Sequence, residues 1–196
     1  MAESHIFDPK HRAILESEDR KNWQNPQKII ELLELKPSDV VADLGCGTGY
    51  FTVPIARKVK KVYGIDIQKE MLTFLEQKIR QHKIGNIETV LSKENEIPIQ
   101  DESVDLLLTV NTLHEFRDKE AIVNEMRRVL KVDGRAVIVD FKKEISDVGP
   151  PVSIRVSKEQ AKRLFKEKGL TTLKTYDLKL HYLLVFGKTE PKEGAR

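Results

Sequence analysis

Thiols are all but absent from this chain: its 196 residues include one cysteine, Cys46. A structural disulfide within the chain is therefore excluded. Charge of one sign is lacking as well, since 34 Lys and Arg stand against 31 Asp and Glu and the formal net charge is +3. These charges are interleaved, as on a solvated surface. Short basic clusters occur at Arg57-Lys58 with Lys60-Lys61 and at Lys142-Lys143. Neither is a dense basic run with interleaved aromatics, so nucleic acid is not the expected partner. No apolar run is long enough to span a bilayer, and Met1-Ala2-Glu3-Ser4-His5 lacks the apolar stretch of a signal peptide. A cytoplasmic protein without a membrane partner is expected. His5, His11, His82 and His181 show no metal-ligand spacing, so no metal site is expected. With no internal repeat or low-complexity segment, the chain reads as one domain over residues 1–196, with 1–25 as a candidate lid and 188–196 as a loose tail. Nothing in it signals an oligomeric state.

What the chain does carry is concentrated in Val40-Val41-Ala42-Asp43-Leu44-Gly45-Cys46-Gly47-Thr48-Gly49-Tyr50-Phe51. An apolar strand runs into an acid, then into glycines at alternate positions, then into a helix. Glycine lets a ligand approach the main chain without meeting a Cβ, and the following helix presents its first N–H groups. The segment reads as a nucleotide cradle, with a plain tight turn as the alternative. It is not the dinucleotide fingerprint, whose last glycine falls one position later. Asp43, ahead of the first glycine, would repel a pyrophosphate and suits a ligand bearing positive charge. S-adenosylmethionine is such a ligand, with an ammonium, a sulfonium and no phosphate. A second short strand, Lys61 to Ile67, carries Asp66 about 20 residues beyond the loop, where a ribose-binding carboxylate belongs. The competing role for Asp66 is to cap the helix that starts near Gln68.

The remaining pattern supplies a scaffold. Asn25 before Pro26 starts a helix with an apolar face through Ile29, Ile30, Leu32 and Leu33. Pro54 falls in the first turn of the helix after the glycine loop, and Met71, Leu75 and Ile79 make a further helical stripe. Ile87 to Leu91 and Val104 to Val110 read as strands, the latter covered on both faces. A helix through Ile122, Met126, Val129 and Leu130 is expected to end at Asp133-Gly134, with a strand from Arg135 to Phe141. Ser157 and Gln160 propose a capping box for a helix closed by Gly169. Two strands, Leu170 to Asp177 and Leu180 to Gly187, are spaced as a hairpin. The fold class is therefore α/β: a Rossmann-like, doubly wound, seven-stranded and mostly parallel sheet with a C-terminal antiparallel hairpin, and a ligand at the carboxyl ends of its strands.

Ordered motifs make the chain similar to the class I methyltransferases that use S-adenosylmethionine, and within them to the type 11 group that includes the ubiquinone and menaquinone C-methyltransferases. The likeness is carried by Val41 through Gly49, by Gly64-Ile65-Asp66, by Ile97-Pro98 with Asp101-Glu102-Ser103-Val104-Asp105-Leu106, by Asn111-Thr112-Leu113-His114-Glu115 and by Glu125 through Arg135. It implies S-adenosylmethionine as cofactor. Asp43, Gly45, Cys46, Gly47, Gly49 and Asn111 would then belong to the donor site, with Asp66 on the ribose hydroxyls and Ile67 on the adenine ring. Where many relatives carry an Asp for the adenine amino group, this chain has Lys93. That contact is expected from Lys93, Glu94, Asn95 or the main chain. The lone thiol argues against the cytosine C5 and arsenite subclasses, and no Asn-Pro-Pro-Tyr type motif points to amino methylation of nucleic acid.

Methyl transfer asks mainly that the acceptor be held in line and water excluded. If the acceptor must lose a proton, His114 is the candidate general base, with Glu115 second; the alternative is that His114 only packs at a helix start. Acceptor choice is assigned to the N-terminal stretch through Phe7 and Trp23 and to the turn-rich segment from Lys142 to Val152. Trp23 is either a wall of the site or a core anchor. The expected function is methyl transfer to a small molecule; the alternatives are an RNA or protein methyltransferase, or a noncatalytic protein that binds S-adenosylmethionine. A nicotinamide-dependent oxidoreductase is disfavoured by Asp43 and the glycine spacing.

Overall fold

The computed structural model describes residues 7, 8, 10, 14 and 16–188. In chain order these form α1 (Glu18–Trp23), α2 (Pro26–Leu32), β1 (Val40–Leu44), α3 (Thr52–Ala56), β2 (Lys61–Asp66), α4 (Lys69–Gln81), β3 (Ile87–Leu91), β4 (Val104–Val110), α5 (Lys119–Val129), β5 (Leu130–Phe141), α6 (Lys158–Glu167), β6 (Leu170–Asp177) and β7 (His181–Lys188). The strands make one sheet in the order β3-β2-β1-β4-β5-β7-β6. Strands β1 to β5 pair in parallel, and β7 runs antiparallel to both β5 and β6. The expected fold class is thus the observed one.

Helices cover both faces, and the strands show why. Along β4, Leu107 points into a core that includes Ile122, Met126 and Phe165. Its neighbours Leu106 and Leu108 point into the opposite core, with Ile29, Ile30 and Ile55. Strand β7 divides in the same way, Leu184 and Phe186 to one side, Leu183 and Val185 to the other. Period-two alternation between two apolar faces makes these runs look continuous in sequence.

The helix starts follow local chemistry. Asn25 accepts from Lys28 N, and Ser157 and Gln160 form a reciprocal capping box. The helix after the glycine loop is only five residues long. Val53 N already donates to Gly49 O, so the loop rather than a free helix start forms the cradle.

One boundary differs from expectation. The helix through Ile122 ends at Val129, and β5 begins at Leu130 rather than Arg135. Leu130 faces Val104 while Arg135 faces Leu106, so residues 131–134 bulge from the strand. Asp133-Gly134 marks that bulge and not a helix end. A Cβ on Gly134 would lie 2.9 Å from Lys131 O, which explains the glycine. The tail expected over 188–196 lies outside the described residues except for Lys188, which closes β7. Among the described residues no helix is long and apolar enough to cross a membrane.

Candidate active site

The carboxyl ends of β1, β2, β4 and β5 open into a cavity of about 860 Å³. At the end of β1 the chain turns through the glycine loop, where Gly45 N and Cys46 N both donate to Ile65 O of β2, at 2.8 and 3.0 Å. Gly45 has φ +75, and a Cβ there would sit 2.5 Å from Thr112 Oγ1. Gly49 has φ +88 with Leu75 equally close to its missing Cβ, at 2.6 Å. Both positions require glycine for conformation and for space. Gly45 and Gly47 line the cavity; Gly49 does not, and its role is to let the loop pack on α4.

Asp66, at the end of β2, accepts from Gly47 N at 2.8 Å and from Gln68 N at 2.9 Å. One carboxylate therefore fixes the loop and also holds the entry to α4, whose N-cap is Gln68 and not Asp66. Burial raises its pKa, against the pull of these N–H donors. Asp43 is buried and accepts from Thr52 Oγ1 at 2.5 Å. Burial, with Asp66 nearby, pushes its carboxyl up to about 6. The Cys46 thiol is pushed up by burial and the same two acids, which makes it unreactive. Ile67, Lys93 and Glu94 line the cavity, whereas Asn95 does not. Lys93 pairs with Glu96 at 2.7 Å and Glu94 with Arg117 at 3.4 Å.

A polar network that sequence reading missed closes the N-terminal side. Arg20 of α1 donates through Nε and Nη2 to Gln24 Oε1, at 2.9 and 2.8 Å. The Gln24 and Asn111 amides pair in both directions, at 3.1 and 3.2 Å. The Asn111 side chain, expected at the donor, is thus held by Gln24. Gln24 Nε2 also lies 3.2 Å from His181 Nε2. Burial and the cations Arg20, Arg155 and Lys142 hold the His181 pKa down to about 3, so His181 is neutral and accepts this bond. Trp23 stacks on His181 with ring centroids 5.8 Å apart and also lines the cavity. It is anchor and wall at once.

Across the cavity, His114 follows β4 and meets Asp140 near the end of β5. His114 Nδ1 lies 3.0 Å from Asp140 Oδ1 and 3.2 Å from Oδ2. Asp140 is fully buried, and its Oδ1 also accepts from Phe141 N at 2.8 Å, so the carboxylate cannot swing away. Glu115 beside it is raised by burial to about 7, and its carboxylate accepts from the Phe7 main chain. Phe7 O in turn accepts from Gln68 Nε2 at 2.8 Å, so Phe7 spans from the donor side to the histidine side.

An apolar stretch of wall is made by Phe116, Phe141, Val148, Pro150, Pro151 and Ile154. The loop that supplies the last four is gathered by Arg155. Its guanidinium donates to the carbonyls of Lys142, Glu144, Val148 and Pro150, at 2.8 to 3.2 Å. Lys142 and Lys143 do not line the cavity.

The profile of a methyltransferase domain matches residues 35–177. This chain belongs to the methyltransferase domain family. S-adenosylmethionine is the cofactor that goes with that membership. Among solved structures, an S-adenosylmethionine-dependent methyltransferase from Aquifex aeolicus superposes with a TM-score of 0.87 at 28% identity, over 92% of this chain and 98% of that one. The demethylmenaquinone methyltransferase of Alkalihalophilus pseudofirmus is 27% identical over 65% of this chain and 55% of its own length. That of Lactobacillus johnsonii is 31% identical over 62% and 50%. The methyltransferase match therefore spans about half the length of these curated relatives.

The residues present fit the cofactor. The glycine turn leaves room for a ligand against bare main chain, two acids face that room, and the buried Thr48 Oγ1 and Gln68 Oε1, both of cavity residues, have no hydrogen-bond partner among the described residues. The volume suits a nucleoside-sized donor beside a small acceptor.

Proposed function

We propose that the chain is a cytoplasmic enzyme that transfers a methyl group from S-adenosylmethionine to an apolar small molecule. The observation that carries this reading is one continuous cavity with two chemically different halves. The glycine loop, Asp66 and Ile67 line one; the buried His114–Asp140 pair lies among aromatic and proline walls in the other. Such walls suit a flat or aliphatic acceptor better than a polynucleotide or a protein side chain. The name demethylmenaquinone methyltransferase borne by relatives supports a small-molecule acceptor.

When bound, the donor supplies a methyl group already activated by its sulfonium. The chain's own residues do the rest. Gly45 and Gly47 present bare main chain, Asp66 takes the ribose hydroxyls, Ile67 covers the adenine ring, and Lys93 or Glu94 meets its edge. Asn111 lines the cavity with its amide held by Gln24. On the acceptor side, His114 Nδ1–H donates to the Asp140 carboxylate, which leaves the lone pair on Nε2. That nitrogen has no protein partner among the described residues. It accepts the proton that the acceptor's attacking atom gives up, and Asp140 stabilises the imidazolium that forms. The apolar walls and the Phe7 strap exclude water.

The test is product profiling. The chain is incubated with S-adenosylmethionine carrying an isotopically labelled methyl group and a fractionated cell extract, and labelled products are found by mass spectrometry. A labelled apolar small molecule is expected. Donor binding without any labelled product would reduce the protein to a noncatalytic binder, and label confined to RNA or protein would refute the acceptor class.

A further inference from the structure

A second cavity, an open groove of about 1120 Å³, is lined by α5, α6 and the segment before α6, and it meets the first at Arg117 and Ile154, which line both. It is basic. Arg117, Lys119, Lys143, Arg155, Arg163 and Lys168 face it against three acids, Asp118, Glu120 and Glu167. That excess equals the formal charge of the whole chain, +3. Two of the acids are already occupied. Asp118 caps α5 by accepting from Ala121 N at 2.9 Å, and Glu120 pairs with Lys168 at 2.5 Å. Several cations are not matched in this way. Lys143 and Arg163 are exposed and form no ion pair among the described residues. Arg155 gives its hydrogens to four carbonyls, which do not cancel its charge. Half-buried Lys119 donates through Nζ to Phe116 O at 2.6 Å, with no carboxylate in ion-pair reach among the described residues. Burial lowers its pKa, and the field of Asp140 opposes that, so the ammonium stands near the His114–Asp140 pair.

We propose that this groove holds an anionic end group of the acceptor, a phosphate or a carboxylate, while the apolar body of the same molecule lies against Phe116, Phe141 and Ile154 beside His114. This rests on the reading of the first cavity as the acceptor site, and it makes the acceptor an amphiphile. Arg117 and Ile154 mark where its body crosses from one cavity to the other. Like charges gathered in a concave site repel one another, and an anion among them relieves that repulsion. Lysine and arginine also supply the charge-assisted hydrogen bonds that phosphate and carboxylate oxygens accept. The other basic cluster of the chain, Arg57-Lys58 with Lys60-Lys61, leads into the start of β2, the far end of that strand from Asp66 and the first cavity. Positive charge is thus gathered in a groove rather than laid out as a track for a polynucleotide.

The first probe is inorganic pyrophosphate, titrated into the full chain by calorimetry at low ionic strength. Millimolar binding is expected, weakened at least about 10-fold by Lys143→Glu combined with Arg163→Glu. Both side chains are exposed, so the fold is kept. Lys58→Glu with Lys60→Glu changes the net charge equally outside the groove and should leave the affinity within about 2-fold of wild type. Equal binding by wild type and the groove variant overturns the inference. The link to the acceptor is read from the methyl-labelled product formed in the fractionated extract. Retention of that product by an anion exchanger is expected, with the acceptor KM raised at least about 10-fold in the groove variant and kcat within about 3-fold. A neutral labelled product, even beside bound pyrophosphate, makes the groove a site for a free anion and overturns the inference. So does label recovered in RNA, or an anionic product whose KM the variant leaves unchanged. Absence of any labelled product, with pyrophosphate still bound, refutes the methyl-transfer reading and not the anion site.

Discussion

Asp140 Oδ1 lies 3.0 Å from His114 Nδ1, and the two side chains meet because β4 and β5 run parallel with Val110 beside Val139. A fully buried carboxylate that is also fixed by Phe141 N determines which imidazole nitrogen carries hydrogen. An amide at position 140 would undo this, since its NH₂ can donate to Nδ1 and leave the hydrogen on Nε2. Asp140→Asn is expected to lower kcat by about 100-fold with the donor KM unchanged. Adding His114→Ala to it should cost nothing further. Additive losses in the double variant, measured by steady-state kinetics, would sink the coupled base.

Asp66 makes a prediction about donor affinity. Both S-adenosylhomocysteine and methylthioadenosine carry the ribose, so Asp66→Ala should weaken the two alike, by about 1 to 3 kcal/mol through lost charge-assisted hydrogen bonds. Asp66→Asn keeps an acceptor for Gly47 N and should recover part of the loss. Unchanged calorimetric affinity in Asp66→Ala would remove the ribose assignment.

Asp43 makes a prediction about stability. Burial raises its folded pKa to about 6, above about 3.9 in an unfolded chain. Between those values the folded state binds more protons than the unfolded state, so this group's contribution to stability falls as pH rises from about 4 to about 6 and is level above. Asp43→Asn cannot ionise. Its melting temperature should gain on that of wild type across this window, even as donor affinity falls. A difference in melting temperature that stays constant with pH would show that the carboxyl does not titrate there.

Much of this was legible in the chain because its cues are local. Gly45, Gly47, Asp43 and Asp66 stand within or at the ends of strands whose apolar runs declare themselves, and the Ser157–Gln160 box announces its helix. Gly134 misled because a glycine after a helical stripe is the common sign of a helix end, and only the pairing of Val104 with Leu130 exposes the bulge. Asp140 carried an overlooked signal: it ends the run Ala136-Val137-Ile138-Val139 just as Asp43 and Asp66 end theirs. Gln24 and His181 could not be read together, since 157 residues separate them and their meeting depends on β7 lying beside β5.

Arg155 is the fixed hub of the segment that brings Val148, Pro150 and Pro151 to the cavity. One side chain ties down oxygens at positions 142, 144, 148 and 150 through atoms that every amino acid possesses. The chemistry displayed inward by Val148, Pro150 and Pro151 is therefore independent of what secures the loop. Descendants of such a catalyst can exchange those inward groups for others, and so change the molecule they modify, without rebuilding the mount.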